Sequence, residues 1–220
     1  MNSPRRKTFH EDMGTLKATL MEMIDAIIDV YDDMFSAIRH MDIPLSKTIM
    51  ENDSSINKLE RKINEQATLL IMKQCPVASD LRFIIAALKI ANDLERLGDY
   101  ASNNALYVVK TTRDNSSFRP QFLEYSEPLK TMFYAMREAV VKGDVEAAEK
   151  VCDLDSNIDE IYSKHVVDFI QISAKESGAT AHEAARALLV IKQLERAGDH
   201  LTNIGEEVIY LSHGQMVTLN

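Results

Sequence analysis

The chain has 220 residues, is 45% hydrophobic, and sets 34 acidic side chains against 25 Lys and Arg for a net charge of −9. That length buries one substantial core or two small ones. The negative balance argues against binding nucleic acid or an acidic lipid surface through the overall field, which needs a basic face.

Seven Gly, five Pro and abundant Ala, Leu, Met, Glu and Lys favour helix. The start, Ser3-Pro4-Arg5-Arg6-Lys7, is followed by His10-Glu11-Asp12 and not by an apolar stretch, so no export signal is expected. A first helix is predicted near 9–40, with Leu16, Leu20, Met23, Ile27 and Met34 on one face. Pro44 follows its end and a second helix runs near 45–74. Pro76 suits the first turn of a third, near 77–111, whose apolar face is Leu81, Ile84, Ile85, Leu88 and Ala91. The Ser- and Asn-rich stretch 113–119 reads as a linker, and a fourth helix is predicted at 119–142. Gly143-Asp144 reads as a stop and an N-cap for a fifth helix at 144–176, which Gly178 closes. Thr180-Ala181-His182-Glu183 has the pattern of a capping box for a sixth at 179–212.

No strand signal competes. The apolar runs 83–88 and 187–191 are far shorter than the ~20 residues that span a bilayer, so a soluble, cytoplasmic protein without membrane insertion is expected. Cys75 and Cys152 lack metal-ligand spacing and read as buried free thiols of a reducing compartment. The eleven methionines read mainly as core fillers; Met13, Met21, Met23, Met34 and Met41 are also candidates for an adaptable partner surface.

The chain repeats itself. Leu94-Glu95-Arg96-Leu97-Gly98-Asp99-Tyr100 returns one hundred residues on as Leu194-Glu195-Arg196-Ala197-Gly198-Asp199-His200, and the match extends to Asn103 and Asn203. Asp53-Ser54-Ser55-Ile56-Asn57 is echoed by Asp155-Ser156-Asn157-Ile158-Asp159. Met34, Ala37 and Asp42 match Met136, Ala139 and Asp144. Three matched blocks in one order give an all-α architecture: two pseudo-symmetric antiparallel three-helix bundles, over 9–112 and 119–213.

Helical spacing puts Glu95, Asp99 and Asn103 on the extension of an apolar stripe, and Glu195, Asp199, Asn203 and Glu206 on its copy. Like charges four residues apart repel, by more when partly buried, so something must compensate them. Protein cations (Arg96, Arg196, Arg82, Lys89) are one choice. A metal is the other, with Asp53 and Asp155 as further oxygen ligands. Such a donor set suits Mg²⁺, Ca²⁺, Mn²⁺ or iron. Gly98 and Gly198 occupy the same mid-helix slot, which suggests close helix packing or backbone room beside the acids.

The two E-R-x-G-D blocks, the paired Asn103 and Asn203, and the run Gln74-Cys75-Pro76-Val77-Ala78-Ser79-Asp80-Leu81-Arg82 resemble the PhoU family over about residues 10–212. The resemblance implies a non-enzymatic, often dimeric regulator of phosphate uptake. Such proteins act negatively on phosphate-starvation genes, between the ATPase of a phosphate ABC transporter and a sensor histidine kinase. It also implies multinuclear iron or zinc clusters on the E-x-x-x-D surfaces of some members, and no metal in others; Mg or Mn is the choice the oxygen donors add. Carried over, the leading ligands are Glu95, Asp99, Glu195 and Asp199.

The rival readings are a plain helical scaffold or a metal-storage protein without a phosphate role. A ferritin-like oxidase would need Glu-x-x-His, which does not occur. For a phosphotransfer bundle, none of the six histidines has a distinctive sequence setting, and each reads as solvated or incidental. No nucleophilic triad, phosphate-cradling Gly loop or nucleic-acid motif is present.

Overall fold

A computed structural model describes residues 4–74, 76, 78–111 and 117–213. Among these there are seven helices and no strand: α1 Pro4–His40, α2 Ile43–Gln74, α3 Ala78–Lys110, α4 Arg119–Leu123, α5 Ser126–Lys142, α6 Val145–Lys175 and α7 Ala179–His213. Helices α1, α2 and α3 pack on one another, as do α5, α6 and α7, so the chain is two three-helix bundles. They meet along α3 and α7 and, beside these, along α1 and α5.

The apolar stripe of α1 turns inward as its spacing requires; on α3 Ile84 and Ala91 do the same, but Ile85 lies off that face and is 41% exposed. Leu16, Leu20, Met23, Ile27 and Met34 of α1 are at most 1% exposed, and the buried set runs without a break from them through Leu97 and Phe133 to Leu194 and Leu201. The two bundles therefore share one core. Most methionines of α1 belong to it, while Met21 is only partly buried. Ion pairs tie the bundles at the surface, where Arg137 holds Asp25 at 2.6 Å and Lys130 lies 3.5 Å from Asp32.

Turns follow local chemistry. Met41 takes the left-handed backbone (φ 52°) that ends α1, and Asp42 Oδ1 accepts from the Leu45 amide at 2.9 Å to start α2. Gly143 (φ 64°) stops α5, and the Asp144 carboxylate caps the Glu146 and Ala147 amides. Both roles match the sequence expectation.

Three expectations give way. The fourth helix is not continuous over 119–142: it breaks between α4 and α5. Pro128 has no N–H to donate to the carbonyl four residues back, at Glu124, so a tight turn closes there (Tyr125 N to Phe122 O, 3.3 Å) and α5 restarts with Pro128 in its first turn. Pro76 lies ahead of α3, which begins at Ala78. Thr180 is already inside α7, and Glu183 is 3% exposed and accepts from the Tyr107 hydroxyl at 3.1 Å; a long-range partner has taken the carboxylate from the capping box. Gly178 (φ 67°) turns the chain into α7, two residues after Glu176 ends α6. Cys75 and most of the 113–119 linker lie outside the described residues. Cys152 is a free, half-buried thiol donating to the Ala148 carbonyl, and burial with nearby Glu206, Asp153 and Asp155 pushes it up to about 11.

Candidate functional site

Two clusters of carboxylates form where the third helix of each bundle crosses the second. In the first, α2 presents Asp53 and Glu60 while α3 presents Glu95 and Asp99. All four are half-buried. Arg96 lies across this set, 3.2 Å from Asp99 and 3.7 Å from Glu95. The Asn57 amide donates to Asp53 Oδ2 at 3.3 Å, and Asn64 donates to Glu60. Burial raises the Asp53 carboxyl above its usual range, with Asp99 adding and Asn57 opposing. Glu95 is raised by burial and by Asp99, and Arg96 offsets part of that. Asp53 Oδ1 is buried and accepts no hydrogen bond.

The second cluster is deeper. Asp155, at the position equivalent to Asp53, is 7% exposed, and its Oδ1 likewise has no partner. Burial, then Asp159 and Asp199, push its carboxyl up to about 6, with Thr202 pulling the other way. Glu195 is gripped by Lys192, whose Nζ reaches its two oxygens at 2.6 and 2.7 Å. Arg196, the copy of Arg96, is exposed and makes no ion pair among the described residues.

The motif glycines have different tasks in the two copies. A Cβ at Gly98 would sit 3.2 Å from Ile56 Cγ2, so this glycine lets α2 and α3 approach closely. A Cβ at Gly198 would collide with Asp155 Oδ1, so here the missing side chain is the niche that holds the carboxylate. One position of the E-R-x-G-D block serves packing in the first bundle and the acid itself in the second.

Not every candidate residue joins these clusters. Asn103 is exposed beside a groove with Leu106, Lys110 and Gln193. Asn203 and Glu206 line a different groove between the bundles, with Glu60, Lys89 and Glu207. The structure thus brings together Asp53, Glu95 and Asp99 in one set and Asp155, Glu195 and Asp199 in the other. It places Asn103, Asn203 and Glu206 farther along the helices. Among the described residues no three His, Cys, Asp or Glu side chains stand in a ready ligating arrangement. Two orphaned, buried carboxylate oxygens at equivalent positions, each among further carboxylates, are nonetheless the chemistry a hard cation compensates. The donor atoms are of the kind such an ion takes.

Sequence reasoning underrated two histidines. His200 Nδ1 lies 2.8 Å from Asp93 and its Nε2 lies 3.1 Å from the Tyr100 hydroxyl, so the chain Asp93–His200–Tyr100 bridges α3 and α7. His165 is 4% exposed, bonded to Glu124 at 3.0 Å and stacked on Phe169. Neither is solvated. The one available signal was that His200 replaces Tyr100 in the repeat.

The comparisons with known proteins agree with the two-bundle fold. The PhoU domain pattern matches twice, over residues 20–108 and 122–208. The chain is 30% identical to the phosphate-specific transport system accessory protein PhoU homolog 1 of Thermotoga maritima, over 94% of this chain and 90% of that one. It is also 30% identical to a PhoU homolog of Clostridium acetobutylicum, covering 98% and 99%. Among solved structures, PhoU from Pseudomonas aeruginosa superposes with a TM-score of 0.85 at 26% identity, covering 94% of this chain and all of that one. The phosphate transport system regulatory protein PhoU from Streptococcus pneumoniae superposes with a TM-score of 0.88 at 22% identity, covering 96% and 99%, and shows the fold.

Proposed function

The chain belongs to the PhoU family, and from that premise we propose that it is a non-enzymatic accessory regulator of a phosphate uptake system. In this reading it works in the cytoplasm, as a dimer, between the ATPase of a phosphate ABC transporter and a sensor histidine kinase, and restrains phosphate-starvation genes. Its relatives are phosphate-specific transport system accessory proteins over nearly their whole length. No helix among the described residues is long and apolar enough to cross a membrane, which accords with a partner acting from outside the bilayer.

The two carboxylate clusters are its regulatory feature. Asp53, Glu95 and Asp99 would hold one cation or cluster, and Asp155, Glu195 and Asp199 the other, with iron, zinc, manganese or magnesium as the candidate metals. When bound, the metal supplies positive charge that neutralises the acids and can bridge an anion, which bare carboxylates would repel. The observation that carries this is the pair of buried, unpartnered oxygens Asp53 Oδ1 and Asp155 Oδ1 at equivalent positions.

The test is elemental analysis of protein purified without chelator, alongside E95A/D99A and E195A/D199A. Metal present in stoichiometric amount, and lost from one cluster per double variant, is expected. Metal-free native protein would remove the metal assignment. Co-purification with the transporter ATPase and the kinase tests the adaptor role, and failure to capture either, with phosphate-starvation genes unaffected by deletion, would remove that.

A further inference from the structure

The repeat builds the junction of α1, α3, α5 and α7 twice, once at each end of the bundle interface. At one end it is filled. Phe122 is fully buried with its ring edge-on to Tyr107 at 5.0 Å, Tyr107 donates to the buried Glu183, and Arg119 reaches the Arg39 carbonyl. At the other end the equivalent residues cannot fill the space. Leu20 stands where Phe122 does, and Glu207 stands where Tyr107 does but turns aside to pair with Lys89. Phe83 takes the place of Glu183. Two rings are lost and only one, Phe83, is gained at the wall, and a cleft of about 480 Å³ remains.

Its floor is Leu20, Ile90 and Val208, and its walls include Phe83, Val140 and Leu211. Among the described residues no carboxylate lines it, although the chain as a whole is strongly acidic. Two lysines do. Lys142 is engaged by Glu138, whereas Lys17 makes no ion pair among the described residues and lies 4.9 Å over the Phe83 ring. Ser79 and Ser212 add hydroxyls at the rim. A concave apolar space of this size with a few polar groups at one edge is the usual form of a small-molecule site, and a cation with no acid beside it selects the charge of the occupant.

We propose that this cleft binds a small amphiphilic anion: an apolar body seated against Phe83, Ile90 and Val208, and one carboxylate-like end at Lys17. The assignment is independent of the carboxylate clusters and of the phosphate role. A ligand bridging α1 and α3 of one bundle to α5 and α7 of the other would clamp the two bundles together.

The probe is octanoate, titrated by calorimetry into the full chain, with 1-octanol as the uncharged comparison. Saturable binding at one site per chain is expected, and Lys17→Glu should weaken octanoate roughly fivefold, about what one partly exposed ion pair contributes, while leaving octanol nearly unchanged. Leu20→Phe copies the filled end and should abolish both. Val141→Glu, at an exposed position of the rim, is the second variant should Leu20→Phe misfold, and should also weaken octanoate. Octanoate that fails to saturate, or binds all variants alike, would overturn the proposal. So would a Val141→Glu chain that turns from dimer to monomer while octanoate shows no binding, because the cleft would then be a contact between copies.

Discussion

The two carboxylate clusters begin from the same five-residue pattern and end in different electrostatic states. In the first bundle Arg96 lies across Glu95 and Asp99, the acids stay half exposed, and Gly98 does nothing but admit Ile56. In the second Arg196 stays in solvent, Lys192 takes Glu195 alone, and Asp155 sinks into the space Gly198 leaves. The lesson is that a repeated motif fixes where acids stand. How their charge is met depends on non-repeated neighbours: Lys192 is Asn92 in the first copy. The second cluster holds the more deeply buried acid, Asp155.

The largest consequence is in pH. Asp155 is raised from 3.8 to about 6, so the folded state holds its proton more tightly than the unfolded chain does. Its contribution is fully present below about pH 4, is lost as pH rises towards 6, and is gone above that. A shift of that size corresponds to about 2–3 kcal/mol. Asp155→Asn should therefore stabilise the chelator-treated protein by an amount of that order at pH 7 and change it little at pH 4, followed as melting temperature against pH. Asp53→Asn should gain less. Equal gains from the two would break the comparison.

The glycines give a somewhat smaller contrast. Gly198→Ala gains about 1 kcal/mol of helix preference but must displace the buried Asp155 carboxylate, an overpacking that costs about 1–3 kcal/mol. It should come out destabilising by up to about 2 kcal/mol by denaturant unfolding. Gly98→Ala asks Ile56 to yield by a few tenths of an ångström and gains about 1 kcal/mol of helix preference, so it should come out near neutral. Matching losses would mean that Gly198 is also only a packing position.

The smallest effects concern the guarding cations. Arg96→Met should raise the Mn²⁺ affinity of the first cluster by a few-fold, in line with the modest worth of exposed ion pairs. Arg196→Met should leave the second cluster unchanged. Manganese titration of each variant, with the other cluster removed by its double substitution, separates the two. An Arg196→Met effect equal to that of Arg96→Met would show that Arg196 reaches its acids in solution.

Much of this was legible beforehand. Apolar periodicity located every long helix, because a stripe has to meet a core, and the matched E-R-x-G-D blocks disclosed the two bundles. The helix break near Glu124 was also written in the chain, in Pro128, and was missed because the fourth segment was bounded only by the linker before it and Gly143 after it. What could not be read was anything set by contacts between distant residues. The Tyr107–Glu183 bond dismantles a good capping box from 76 residues away. Asp155 looks no different in sequence from Asp53, yet only one of them is pressed against a glycine. Asn103, Asn203 and Glu206 share the acid face on a helical wheel, but their positions farther along α3 and α7 put them in grooves between the bundles.

The contact between Tyr100 and His200 has an implication for how such a molecule can diversify. These are one position of the repeat, facing each other across the axis that relates the two halves. Two identical subunits meeting on a twofold axis must present the same side chain to each other there, tyrosine to tyrosine or histidine to histidine. Joining the halves in one chain lifts that constraint. Each side of the axis becomes free to mutate alone, and an oriented Asp93–His200–Tyr100 arrangement, which no symmetric pair could hold at its centre, becomes available to selection.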